Sequence, residues 1–336
     1  MNGRLKFRNV IKGKNSESPP FVPFMYGLIA RTGNIPLNEM AWDPSYYTNA
    51  LEGIHQLLGL EVIVGNFDAT LESEAFGARI EWHDDFDPPF VQKGNALSDI
   101  LPEEFMNQGR IPVVMEVTKR LALSVGRDTA ITIALLGPCS FCNNLGQLLE
   151  DGINKNASER IKYFGSFFTK LVRGLCEQKI DSLFFREDLL AEGFFDELIT
   201  NNEAYRSLYG TLFNIVRAFN AMPILVTENL TLERVHEVQS LLKPNGIVLL
   251  GSVPGDTELI AINDLSKKLK ISFGVPLPIG TGSQEELWSR LTMLESFVSE
   301  YKPKGIFYCS DGEIPHDTDL EVLHTLMARV NETVTA

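Results

Sequence analysis

The chain has 336 residues, room for one large domain or two average ones, and its 44% apolar and 22% charged residues describe a globular protein with a substantial core, which excludes disordered and fibrous classes. Its 44 acidic and 30 basic side chains leave a formal net charge of -14, which disfavours nucleic acid and anionic membrane surfaces as partners and favours a small molecule or a protein. No apolar run approaches the roughly 20 residues of a membrane helix, and the basic start MNGRLKFRNVIKGKN has no apolar core behind it, so a soluble, non-exported, cytoplasmic protein is expected.

Residues 1–20 read as a polar lead ending in Ser18-Pro19-Pro20. The segment from Phe21 to Gly27 is a short apolar run bounded by Pro and Gly, which predicts a buried first strand. Asp43-Pro44 supplies an N-cap with Pro at the first helical position, and apolar residues recur at helical spacing through Ala50, Ile54, Leu57 and Leu58. Further strands are predicted over Glu61–Phe67, Ala130–Leu136, Asp181–Arg186, Met222–Thr227, Gly246–Leu250, Ile271–Val275 and Gly305–Cys309. Amphipathic helices are predicted over Ile111–Val125, Ala157–Gln178, Ala204–Phe219, Leu232–Leu242, Glu258–Leu269, Glu285–Tyr301 and Leu320–Val334. Strands apolar on nearly every residue need cover on both faces, and eight βα units predict a single (β/α)8 TIM barrel over 21–336. An open doubly wound sheet is the rival, but no glycine fingerprint follows the first strand. Residues 75–95, with Arg79-Ile80-Glu81-Trp82 and Phe86-Asp87-Pro88-Pro89-Phe90, break the rhythm and read as an extended arm inserted after the second strand, over the barrel mouth.

In a barrel the residues just past each strand converge on one mouth, which here brings together Tyr26, Asp68, Cys139, Cys142, Glu187, Asp188, Glu228, Asn229, Ser252, Cys309 and Asp311. Asp, Asn and Ser also cap the helices that follow strands, which is the plainer reading of Asp188 and Ser252. Asp68 stands directly behind the apolar run Val62 to Phe67, so the strand delivers a carboxylate to the mouth. Cys139-x-x-Cys142 is open to a metal or redox reading, with buried structural thiols as the alternative; Cys176 lies on an amphipathic stretch and reads as core. Four cysteines in so long a chain make no disulfide framework. Glu228, Cys309 and His316 could form a mixed site of the kind zinc accepts, with one position open. His55, His83, His236 and His324 fall where surface or packing roles are expected.

Four runs resemble the uroporphyrinogen decarboxylase superfamily: Pro23-Phe24-Met25, Phe67-Asp68 through Gly77, Leu136-Gly137-Pro138 and Ser310-Asp311-Gly312 through Pro315. The resemblance implies a (β/α)8 barrel and places Asp68 at the decarboxylase's catalytic aspartate. Elsewhere the pattern departs: the arginine-bearing segment after the first strand is here Met25 to Arg31 with one arginine, the family tyrosine falls on Asn144, and the terminal histidine on Asp311. A porphyrinogen carries many carboxylates and would be repelled by a mouth already rich in Asp and Glu. The chain looks more like the branch that moves methyl groups to corrinoid proteins, of the O-demethylase type. The coenzyme M branch holds zinc with His-x-Cys and a distant Cys; the first place here reads Val226-Thr227-Glu228, with Cys309 kept near the end.

That resemblance implies a methyltransferase component that passes a methyl group from a small O-methyl compound, methoxylated aromatics being one candidate class, to a corrinoid protein, with zinc as an optional ion and a homodimer as one open assembly. A porphyrinogen-type decarboxylase and a non-catalytic binding barrel are the alternatives. Breaking an ether requires an acid at the leaving oxygen, for which Asp68, Glu187 and Glu228 are the candidates. Phe24, Tyr26, Phe141 and Phe185 could hold an aryl ring, with core as the alternative for Phe141 and Phe185, and Asn66, Cys139, Asn144, Asn229 and Asp311 complete the expected substrate contacts at the mouth.

Overall fold

A computed structural model describes residues 1–14, 18–83, 85–92, 101–142, 157–187, 202–228, 230–251 and 254–332. Eight parallel strands make one sheet: β1 (Phe21–Val22), β2 (Val62–Val64), β5 (Ala130–Leu136), β6 (Ser182–Glu187), β7 (Met222–Glu228), β8 (Gly246–Leu250), β9 (Ser272–Leu277) and β10 (Ile306–Ser310). The hydrogen-bonded order runs from β1 through β10, β9, β8, β7, β6 and β5 to β2, and the two end strands lie beside each other, so the sheet curls into a (β/α)8 TIM barrel. Helices α4 (Pro44–Leu58), α7 (Ile111–Ser124), α8 (Ala157–Glu177), α9 (Asn202–Ala218), α10 (Leu232–Leu242), α11 (Asp256–Leu269), α12 (Gln284–Tyr301) and α13 (Leu320–Asn331) follow the strands. Among the described residues no helix is long and apolar enough to cross a membrane.

Alternation along each strand sorts the core into two shells. Val62, Val64, Ala130, Ala134, Phe184, Ile224, Val226, Val248, Phe307 and Cys309 meet inside the barrel, whereas Ile63, Ile131, Ile133, Leu183, Phe185, Leu225, Ile247 and Tyr308 face the helices. Strands buried on both faces are apolar throughout for this reason, and β5 and β8 occupy the bounds their apolar runs predict. β1 stops after two residues because Pro23 has no N–H to continue a ladder. Past that point single bonds carry the pairing, Ser310 Oγ accepting from Phe24 N at 2.9 Å and Phe24 O accepting from Ile314 N at 2.7 Å.

The lead segment is more than polar chain. Residues Gly3–Ile11 form helix α1, and Phe7, Val10 and Ile11, at helical spacing, are buried in the inner-barrel cluster, with Phe7 edge-on to Phe307 at 6.2 Å. Three pairs fix this plug to the amino-terminal strand ends: Arg4 and Arg8 reach Asp181 at 2.9 and 2.7 Å, and Lys6 reaches Glu61 at 2.6 Å. Each apolar side chain so buried contributes roughly 1.5–3 kcal/mol. The helix closes the bottom of the barrel, leaving the carboxyl ends of the strands as the open face.

After β2 the chain makes the short helix α5 (Leu71–Ala75) and then an antiparallel hairpin of β3 (Ile80–Glu81) and β4 (Phe90–Val91). The hairpin tip reaches the first βα turn, where Leu37 N donates to Asp85 O at 2.5 Å. Gly27 sits against that tip so closely that a Cβ there would overlap the carbonyl oxygen of Phe86, and only glycine fits.

Candidate active site

The site grows from the turn after β2. Asp68 is buried, and its Oδ1 accepts from both the backbone N–H and the hydroxyl of Thr70 at 2.8 Å. Its Oδ2 accepts from the Arg110 guanidinium and, at 3.4 Å, from the Tyr26 hydroxyl. Arg110, just ahead of α7, is 1% exposed and spends every face of its fork: Nε on Glu74 at 2.7 Å, Nη1 on Tyr26 at 3.0 Å as well as on Asp68, Nη2 on Thr70 at 2.8 Å. The hairpin's Trp82 ring lies over the guanidinium at 4.9 Å. Burial works against the Arg110 charge, but Asp68, Tyr26 and Glu74 outweigh it and hold the cation more firmly than usual. Burial, and then the Asp68 charge, push the Tyr26 phenol well above its ordinary pKa. Every contact Asp68 makes is with a donor, the surroundings an ionised carboxylate needs.

Aromatic rings form the floor beneath this network. Phe24 and Phe67 stack at 4.6 Å, and Phe184 meets Phe24 edge-on at 5.8 Å. Arg186, on β6, lies over the Phe67 ring at 4.0 Å and donates to Phe67 O at 2.8 Å. Glu313, past β10, accepts from Gly27 N at 3.1 Å across the first and last strands. Burial lifts its carboxyl to about 7, outweighing the Gly27 N–H and Arg186, with Asp68 adding to the rise. Beside the phenylalanine cluster of Phe76, Phe105 and Phe141, Glu72 accepts from Leu136 N at 3.0 Å, while its other oxygen has no hydrogen-bond partner among the described residues; burial lifts it to about 8.

Several expected site residues do other work. Glu187 is fully buried and accepts from the backbone of Cys139 at 3.3 Å and from Ser140 N and Oγ at 2.8 and 2.7 Å. It fastens the turn after β5, beside Gly137, where a Cβ would overlap its carboxylate. Cys139 and Cys142 are buried in that turn. Asn66 donates to Ala134 O at 2.9 Å, extending the β2 to β5 pairing. Asp311 holds the loop after β9 through Ile279 N and Gly280 N, both 3.1 Å, and the Thr281 hydroxyl. Phe24 is wholly buried as floor, and Phe141 belongs to a cluster outside the barrel, 5.2 Å from Phe164 and 5.0 Å from Phe168, so it faces helix packing instead of the mouth. Phe185 likewise points outward, 5.3 Å from Phe213. Asn144 and Asn229 lie outside the described residues.

The zinc trio is not assembled. Cys309 points into the barrel interior, where burial and then Asp311 raise its thiol well above the usual pKa. His316 pairs with Asp87 at 3.2 Å beside Phe86, and Glu228 ends β7 in solvent. Among the described residues no three His, Cys, Asp or Glu side chains gather as a metal needs, so this donor set does not fit the ion.

Residues 3–162, which include Tyr26, Asp68, Glu74 and Arg110, match the family model described as uroporphyrinogen decarboxylase (URO-D). Over those residues the chain is similar to the uroporphyrinogen decarboxylase family. Over 122 residues it is 30% identical to the methylcobamide:CoM methyltransferase MtbA of Methanosarcina acetivorans, a match covering 35% of this chain and 32% of that protein. The match therefore spans about a third of the relative's length. A methyltransferase from Methanosarcina mazei superposes with a TM-score of 0.69 at 16% identity over 98% of both chains. A B12-independent methionine synthase from Shewanella sp. W3-18-1, in complex with selenomethionine, superposes with a TM-score of 0.52 at 16% identity, over 85% of this chain and 88% of that one. At such identities these two structures establish the barrel alone. The superfamily resemblance drawn from Asp68 thus agrees with the family match, while Arg110, Arg186 and Glu313 were not singled out in the sequence. Arg110 had a faint signal, a lone arginine before a proline-started helix; nothing local marked the other two.

Proposed function

We propose that the chain moves a methyl group from a small O-methyl compound, of which methoxylated aromatics are the favoured class, to a corrinoid carried by a partner protein. The observation that carries this reading is the 30% identity over 122 residues to a protein named for methylcobamide-dependent methyl transfer. The mouth is consistent with it. Its floor of stacked Phe24 and Phe67 is apolar, with Arg186 lying over the Phe67 ring at 4.0 Å, and the Asp68–Arg110 pair is internally neutral. A porphyrinogen would need cations to meet its carboxylates, but Arg110 is consumed by Asp68 and Glu74, and Arg31 is turned to Thr318 O at 2.8 Å.

A reduced corrinoid supplies the electron pair that takes up the methyl group, and it arrives with the partner, so this chain's task is to seat the donor and protonate what leaves. Asp68, fixed by Arg110, Thr70 and Tyr26, sets a rigid polar wall beside the floor, holding the Tyr26 hydroxyl in one place. The test is an anaerobic assay of the full chain with a reduced corrinoid carrier and a panel of methyl ethers, read by the appearance of methylated corrinoid. Transfer from an aryl or alkyl methyl ether is expected. No transfer from any donor, together with decarboxylation of a porphyrinogen, would overturn the proposal in favour of the decarboxylase reading.

A further inference from the structure

We propose that Glu313 is the acid that protonates the departing oxygen during methyl transfer, a role that rests on the function proposed above. Four features of its place in the fold argue for it. Asp311, tied to Ile279, Gly280 and Thr281, fixes the loop that carries Glu313 past β10. Glu313 Oε1 then accepts from Gly27 N at 3.1 Å, so the side chain bridges the last and first strands at the open end of the barrel. Gly27 is itself clamped by the hairpin tip through Phe86, which leaves the acceptor geometry little freedom. Glu313 is also half-buried, sheltered enough to keep a proton and open enough to regain it from water.

The groups around it come from every neighbouring element. Asp68 faces it from the loop after β2, with Arg110 bound behind Asp68; Arg186 faces it from β6; the phenols of Tyr26 and Tyr47 lie on the first βα turn and α4. His316, paired with Asp87 of the hairpin, and Asp311 share its loop. With burial the largest influence, the carboxyl stands at about 7, where an acid is both protonated and strong enough to give its proton up. The other carboxyls lack this combination. Asp68 and Glu187 are ringed by donors, Glu72 is sealed among Phe76, Phe105 and Phe141, and Glu228 lies in solvent.

In the step, the methyl carbon–oxygen bond breaks with its electron pair going to oxygen. Glu313 gives that oxygen its proton, yielding the alcohol or phenol and leaving a carboxylate that water reprotonates. The new bond to the methyl carbon uses the electron pair of the cobalt(I) acceptor, which is formally oxidised by two electrons.

The experiment compares the full-length chain with Glu313→Gln and Glu313→Asp, using a reduced corrinoid carrier and two donors, methoxybenzene and 4-nitro-methoxybenzene, between about pH 5.5 and 9. Wild-type turnover of methoxybenzene should fall as pH rises through the Glu313 titration. Glu313→Gln should lose about 10²–10⁴-fold on methoxybenzene and far less on the nitro compound, whose phenoxide leaves without a proton, and its pH limb should vanish. Glu313→Asp keeps an acid and should keep the limb at a lower rate, which separates proton donation from a merely structural hold on Gly27. Wild-type transfer with an unchanged Glu313→Gln rate and pH profile would overturn this inference and leave the proposed function standing. If Glu313→Gln does not fold, a Glu313→Asp profile without the limb overturns it equally. A wild-type chain that methylates no corrinoid from either ether or any other donor removes the function and this role together.

Discussion

Replacing Arg110 with Met keeps most of its length and removes the charge that two carboxylates share. Asp68 is 1% exposed as a side chain and Glu74 12%, so neither can recover its lost partner from bulk water without moving. Breaking a buried pair from one side costs about 3–5 kcal/mol, because the partner left behind is an uncompensated charge. Against a total of roughly 5–15 kcal/mol, that is a large share of the protein's stability. Urea unfolding of Arg110→Met, followed by circular dichroism and by tryptophan emission, should show a loss of that order. The emission is also a local probe, since Trp82 lies 4.9 Å from the guanidinium. Adding Asp68→Asn removes the orphaned charge, so the double variant should cost less than the two single variants summed, by about 1–3 kcal/mol. A loss under about 1 kcal/mol, with coupling within about 0.5 kcal/mol of zero, would mean that the pair is dispensable and that the mouth is held by its apolar floor.

Three further outcomes follow from the same geometry. Burial holds the Glu72 proton to about 8, whereas the unfolded chain releases it near its usual 4.5, so wild-type stability is penalised progressively as pH rises between these values. Glu72→Gln has no proton to lose and should gain on the wild type by up to about 1.4 kcal/mol per pH unit across that window; equal urea midpoint differences at both ends would contradict it. Asp181→Asn weakens the hold of Arg4 and Arg8 on the plug and should cost about 1–3 kcal/mol, discounted because both arginines are partly exposed, with faster amide exchange along α1 as the local readout. Gly137→Ala drives a methyl into the Glu187 carboxylate and should lower thermal stability by about 1–3 kcal/mol; an unchanged midpoint would show that the turn after β5 yields easily.

Recognition of the site from sequence followed its distance from regular strands. Asp68 was legible because an apolar run ends on it, and Tyr26 because it follows the first strand. Glu187 and Asp311 stand at strand ends too, yet both bond backbone N–H groups of a neighbouring loop, a task that position alone does not separate from catalysis. The sequence leaves Phe141 open between mouth and core, and the helical turn at 138–142 rotates it outward into the phenylalanine cluster. The zinc trio failed for a similar reason. Cys309 alternates with Tyr308 along β10, and the inward position places its thiol inside the apolar barrel, away from His316.

The architecture was fixed locally, by apolar runs of strand length, amphipathic stretches and caps such as Asp43-Pro44, whose side chain accepts from Ser45 N and Tyr46 N as its pattern predicts. These signals have short range, since hydrophobic period and capping need only a few neighbouring residues. What the tertiary structure alone decided is which charges meet: Arg110 with an aspartate 42 residues earlier, Glu313 with the backbone of Gly27 286 residues away, and Arg4 and Arg8 with Asp181. Barrel closure sets those pairings by bringing the first strand beside the last, and the proton-holding character of Glu72 and Glu313 comes from the burial that closure imposes.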